Sequence, residues 1–102
     1  MSKFDTYLAK NLSNPSLSVP QIADDFAMSE STLLRKVKHC VGITPVQYLL
    51  EKRLEMAYRL LLRGQAPSVE AAANRVGYAS VNNFSRSFKN HFDIRPSSLL
   101  SA

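Results

Sequence analysis

Arg35 with Lys38, in LLRKVKHC, and Arg86 with Lys89, in FSRSFKNHF, put a planar fork of donors and a point cation three residues apart, twice in one chain. The Arg fork can donate two parallel bonds to the O6 and N7 of guanine, Asn can do the same for adenine, and Lys or Ser can hold phosphate oxygens. Asn82 and Ser85 stand beside Arg86, and Ser31, Thr32 and Leu34 stand beside Arg35. Leu34 is too apolar for a purely solvated face and suits a thymine methyl. A single Arg on an amphipathic helix is ordinarily a solvated cation; the matched second occurrence argues for a shared ligand.

These side chains act together only if a helix gathers them. Phe84, Phe88 and Phe92 recur every fourth residue, a spacing that stacks the rings on one face and turns the polar residues between them outward. Leu33, Val37 and Val41 do the same around Arg35. The remaining periodic segments are also helical. Phe4, Tyr7, Leu8 and Leu12 form a first stripe closed by Asn14-Pro15. Ser18 and Gln21 read as a capping box for a helix over about 19 to 26, and Ser29 as the N-cap of a helix ending near Gly42. Thr44 with Gln47, and Pro45 at the first helical position, open a long helix to Arg63. Residues 64 to 67 form a linker, Ser68 starts a fifth helix, Gly77 turns the chain, and Pro96 precedes a short helix built on Leu99 and Leu100. No strand pattern competes, so the class is all-α.

Composition bounds the partner. The chain has 102 residues, 45% of them apolar, and a net charge of +5, which favours a polyanion. Eleven of the 13 cations lie between Arg35 and Arg95, while four of the eight acids fall within the first thirty residues. Cys40 is the single cysteine, which excludes an internal disulfide and a Cys-rich zinc site and fits a cytosolic protein. We expect no metal and no cofactor. His39, Cys40 and His91 lack zinc spacing. Cys40 is expected to pack at a helix end, with His91 in the matching structural place; Asp24 and Asp25 are expected to face solvent. Glu51, Lys52, Arg53 and Glu55 read as a solvated face of the long helix.

The chain also repeats itself. Ser18, Val19, Ile22, Ala23 and Phe26 align with Ser68, Val69, Ala72, Ala73 and Val76 at an offset of 50, and LLRKVKHCVGITP aligns with FSRSFKNHFDIRP at an offset of 51. Each copy is a short helix, a tight turn and a second helix, the layout of a helix-turn-helix.

With these motifs in place, the sequence resembles the DNA-binding domain of the AraC/XylS family of bacterial transcription regulators. The resemblance rests on SVPQIADDFAMSESTLLRKVKHCVGITPVQYL, RLEMAYRLL and SVEAAANRVGYASVNNFSRSFKNHFDIRP. It implies two helix-turn-helix subdomains, homeodomain-like three-helix units, over 1–44 and 64–102, joined by a linker helix over 45–63. It further implies sequence-specific binding of double-stranded DNA, with base readers and phosphate clamps within 31–38 and 81–89. Val81 falls in the second of these segments, although its side chain cannot hydrogen-bond. Activation of transcription in the bacterial cytoplasm, at the nucleoid, is the implied role. RNA polymerase is a possible further partner, and any effector or dimerisation domain would lie outside this chain. Ala72 stands where the family carries a bulkier aliphatic residue. An RNA- or protein-binding helical module is the alternative from another class; an enzyme is weaker, since no Gly-rich phosphate loop or activated nucleophile is present.

Overall fold

The structure, a computed structural model, describes residues 2–100; Met1 and the Ser101-Ala102 end lie outside the described residues. The described residues form seven helices and no strand: α1 (Ser2–Asn11), α2 (Val19–Asp25), α3 (Glu30–Val41), α4 (Pro45–Leu62), α5 (Val69–Arg75), α6 (Val81–Phe92) and α7 (Ser97–Leu100). None is long and apolar enough to cross a membrane.

Local chemistry sets most of the boundaries. Ser29, Ser68 and Ser80 each accept, through the hydroxyl, the backbone N–H three residues on, which satisfies an orphan donor of the first turn. Thr44 and Gln47 complete the reciprocal capping box of α4, with Pro45 where no N–H is needed. The two longer helices that end the repeats stop in the same way: Gly42 and Asp93, 51 residues apart, are both left-handed, at φ 80° and 61°. The Ser18–Gln21 capping box does not form. Ser18 makes no side-chain cap, and the Gln21 amide instead donates to the Asp25 carboxylate one turn on, at 2.9 Å. Bound to Asp25 one turn on, the Gln21 side chain is turned away from the Ser18 N–H that its Oε1 would have to accept.

The buried side chains form two clusters. Phe4, Leu8, Leu12, Leu17, Ile22, Ala23, Leu33 and Val37 meet Tyr48 and Leu49 of α4; Ala66, Ala72, Ala73, Val76, Phe84 and Phe88 meet Leu54, Ala57 and Leu61 of the same helix. The 18 residues of α4, about 27 Å long, therefore wall both cores in succession. The outcome is an elongated body of 43 × 23 × 22 Å. Ala57, Ala66, Ala72 and Ala73 are all buried, so small side chains at this seam let α5 lie close to α4.

Two phenols tie α1 down. The Tyr48 hydroxyl donates to Asp5, and the Tyr7 hydroxyl donates to Asp25. Burial, reinforced by the Asp25 carboxylate, pushes the Tyr7 phenol up to about 12. Asp25 is exposed as expected, yet it is a structural acceptor for both Tyr7 and Gln21 rather than a merely solvated acid.

Arg53 departs most from the sequence reading. It is 7% exposed rather than solvated, and its Nη2 donates to the Asn14 carbonyl at 2.8 Å. Burial lowers the guanidinium from its ordinary value.

Phe88 is wholly buried and stacks on Tyr58 with ring centres 6.0 Å apart. Truncation to Ala should cost about 3–5 kcal/mol, a large part of the roughly 5–15 kcal/mol that holds a domain together. Urea unfolding measures this; a loss below about 1 kcal/mol would contradict the packing described.

Candidate nucleic-acid interface

The buried pair on α3 is Leu33 and Val37; on α6 it is Phe84 and Phe88. Arg35 and Arg86 each lie midway between the members of a pair in sequence. At 100° per residue, that places each guanidinium about 160° from both apolar neighbours, on the side opposite the core. Both arginines are exposed. Ser31 and Lys38 flank Arg35 on one side of that outer face, as Asn82 and Lys89 flank Arg86; all four are exposed. Leu34, 42% exposed, and Ser85, half-buried, take the matching next positions round the helix. The two copies thus present one geometry with different chemistry: hydroxyl and isobutyl in α3, amide and hydroxyl in α6.

Thr32 and Val81 sit differently. Thr32 is half-buried, its N–H is bound to Ser29, and its hydroxyl oxygen accepts from the Ser29 hydroxyl at 2.9 Å. Val81 is half-buried against the second core. Both serve the starts of their helices.

Each face is concave and cationic. Arg35 lines a cleft of about 600 Å³ with Thr32, Lys36, His39 and Cys40. Arg86 and Lys89 line one of about 370 Å³ with Ser85, Asn90, Arg95 and Ser97. Neither lining includes a carboxylate, so the positive potential is not cancelled locally. Lys36, His39, Asn90 and Arg95 line these clefts beside the residues that the sequence marks as DNA-binding. The signal for Arg95 was its place immediately before Pro96, at the position matching Thr44 in the repeat, which returns the chain to the side of α6.

Cys40 is exposed rather than packed, and so is His91, its counterpart in the second copy. Each lies one residue before the last member of its core stripe, Val41 or Phe92, and is turned out of that stripe. The His91 ring sits edge-on to Phe92, with centres 4.7 Å apart.

Residues 22–102 match the model of a helix-turn-helix domain family, the AraC type. The chain belongs to the AraC-type helix-turn-helix family. Among relatives, the HTH-type transcriptional activator RhaS of Citrobacter koseri is 44% identical over 75 residues, and RhaS of Escherichia coli K12 is 41% identical over the same length. These alignments cover 74% of this chain but only 27% of the relatives, so the chain spans about a quarter of their length. The C-terminal domain of AraT, a response regulator from Geobacillus stearothermophilus, superposes with a TM-score of 0.87 at 28% identity, covering 98% of this chain and 82% of that one. The DNA-binding domain of AdpA, solved with a target DNA, superposes at 0.84 over 98% of this chain and 88% of that one; at 23% identity it supports the fold alone. The two-subdomain arrangement expected of an AraC-type domain is therefore present across the described residues.

In this AraC-type chain the start of each outward-facing helix depends on one serine. Ser29→Ala and Ser80→Ala should each cost about 1 kcal/mol and fray the first turn. Hydrogen exchange at the amides of Thr32 and Asn83 should accelerate in the respective variant; unchanged protection would show that the caps do not hold those turns.

Proposed function

We propose that this chain is the DNA-binding part of a bacterial transcription regulator, binding double-stranded DNA sequence-specifically with α3 and α6 in successive major grooves. The observation that carries this is the duplicated placement of Arg35 and Arg86, each opposite its own core, on two helices whose cores share one helix, α4. The chain divides as 1–44, 45–63 and 64–102, the middle segment acting as a rigid spacer. At about 27 Å, α4 suits two readers roughly one DNA turn, or ~34 Å, apart.

Within this reading Arg35 and Arg86 read guanines, with Ser31, Leu34, Asn82 and Ser85 contacting adjoining base edges. Lys38 and Lys89 hold phosphates, joined by Arg95. Thr32 and Val81 act mainly by fixing the helix starts. The activator names of the RhaS relatives support a role in transcription activation, in the cytoplasm, at the nucleoid. Partners beyond DNA would be RNA polymerase and an effector or dimerisation domain outside this chain.

Arg35→Ala and Arg86→Ala should each remove about 1–3 kcal/mol of discrimination, concentrated at one base position of a site selected from random DNA. Lys38→Ala, Lys89→Ala and Arg95→Ala should instead weaken binding to every duplex and flatten the salt slope by about one unit each. Fluorescence anisotropy across a salt series separates the two patterns. Equal losses on all sequences for the arginines would make them phosphate ligands; an unchanged slope for the lysines would remove them from the interface.

Inserting about five base pairs between the two specific patches turns one patch to the far side of the duplex. Affinity should fall to that of one subdomain. Undiminished binding would overturn the two-groove reading.

A further inference from the structure

The helices of the first subdomain do not pack extensively on those of the second; both sets pack on α4. Along one side an open cleft of about 370 Å³ separates them, lined by Ile43, Gln47 and Leu50 from one end and by Tyr78, Asn90 and His91 from the other. They also meet at the Gly77 turn. There the backbone of Gly77, in the turn before α6, lies so close to the end of α1 that a Cβ would stand 2.2 Å from the Leu12 carbonyl oxygen. The same Cβ would stand 3.1 Å from the guanidinium carbon of Arg53, and Gly77 adopts φ +88°. Only glycine combines that backbone with that approach.

Arg53 occupies this contact as a buried cation. Among the described residues no carboxylate pairs with it; the one salt bridge is Lys52–Glu55. Its Nε, fully buried, has no hydrogen-bond partner, while Nη2 reaches the Asn14 carbonyl in the loop after α1. The Tyr78 phenol is held above its ordinary value by burial, opposed by the Ser87 hydroxyl and by the Arg53 charge. A cation stripped of water and given neither a carboxylate nor a full set of acceptors is a poor way to stabilise a core, and an apolar side chain of similar length would serve the packing at least as well. What the guanidinium adds is geometric. From α4 it holds the α1–α2 loop of the first subdomain while lying against the turn that starts the recognition helix of the second.

We propose that Arg53 is a positioning residue, clamping the α1 end onto the Gly77 turn and so fixing the distance and angle between α3 and α6. The clamp is a property of the protein alone; its consequence for DNA rests on the two-groove reading. Linked readers gain about 10²–10⁴ in avidity only when their geometry allows both to engage, so a loosened clamp lowers the effective concentration of the second reader and widens the range of spacings it tolerates.

The test uses the whole chain with two nitroxide labels, one on the native Cys40 at the end of α3 and one on Glu70→Cys on α5; both positions are exposed. Arg53→Met keeps an apolar stem in the buried site and removes the bond to Asn14, and Gly77→Ala wedges the contact apart from the opposite side. Circular dichroism confirms that each variant is folded before it is used. Pulsed dipolar spectroscopy on the free protein should give a narrow distance distribution for the parent and a broadened or shifted one for either folded variant. Unchanged distributions in both variants overturn the clamp. On DNA, with unlabelled protein, Arg53→Met should lose about tenfold or more on the optimal site and be less sensitive than the parent to adding or removing one or two base pairs. A variant as strict about spacing as the parent overturns the positioning role. A parent indifferent to spacing contradicts the two-groove reading instead, and the spin-label distances still decide whether the clamp exists.

Discussion

Everything in this molecule is referred to α4. Its first half closes one core through Tyr48 and Leu49, its second half closes the other through Leu54, Ala57 and Leu61, and between them sits Arg53. A helix that were merely a tether would be apolar on a stretch at each end and solvated in the middle. This one stays buried on a continuous stripe, so no flexible segment separates the cores. The two outward-facing helices are related through their shared packing on α4 and through the close approach of Gly77 to Leu12.

The difference between the copies follows from the same construction. Within each, an apolar pair holds the second helix against its core and leaves an arginine opposite, so the duplicated scaffold repeats the position of the guanidinium while the neighbours are free to vary. Ser31 and Leu34 in one, Asn82 and Ser85 in the other, offer unlike functional groups at like places. In the proposed complex a monomer would read an asymmetric site, with two patches of different sequence, and needs no second copy to do so.

Much of this was legible in the sequence, for a physical reason: short-range chemistry fixes helix ends. Ser29, Ser68 and the Thr44–Gln47 pair cap as their spacing implies, and the repeat offset of 51 carries over to the stops at Gly42 and Asp93. The structure differs from the sequence pattern where residue type and position disagree. Arg53 falls four residues after Leu49 and four before Ala57, squarely on the buried stripe, but a charged residue beside Glu51, Lys52 and Glu55 reads as solvated. Its partners, Asn14 and Gly77, are distant in the chain, and no local pattern announces them. Cys40 differs in the opposite direction, an apolar type at an exposed position. The cleft that adds Arg95 to Arg86 and Lys89 depends on how the chain returns after α6, which spacing along one helix does not reveal.

The central claim, that one monomer presents two readers to one face of a duplex at a fixed separation, is tested most directly by hydroxyl-radical footprinting on a site selected from random DNA. This account predicts two short protected patches on each strand, centred about ten base pairs apart and lying on the same side of the helix. A single protected patch, or two patches whose separation varies from site to site, would contradict it.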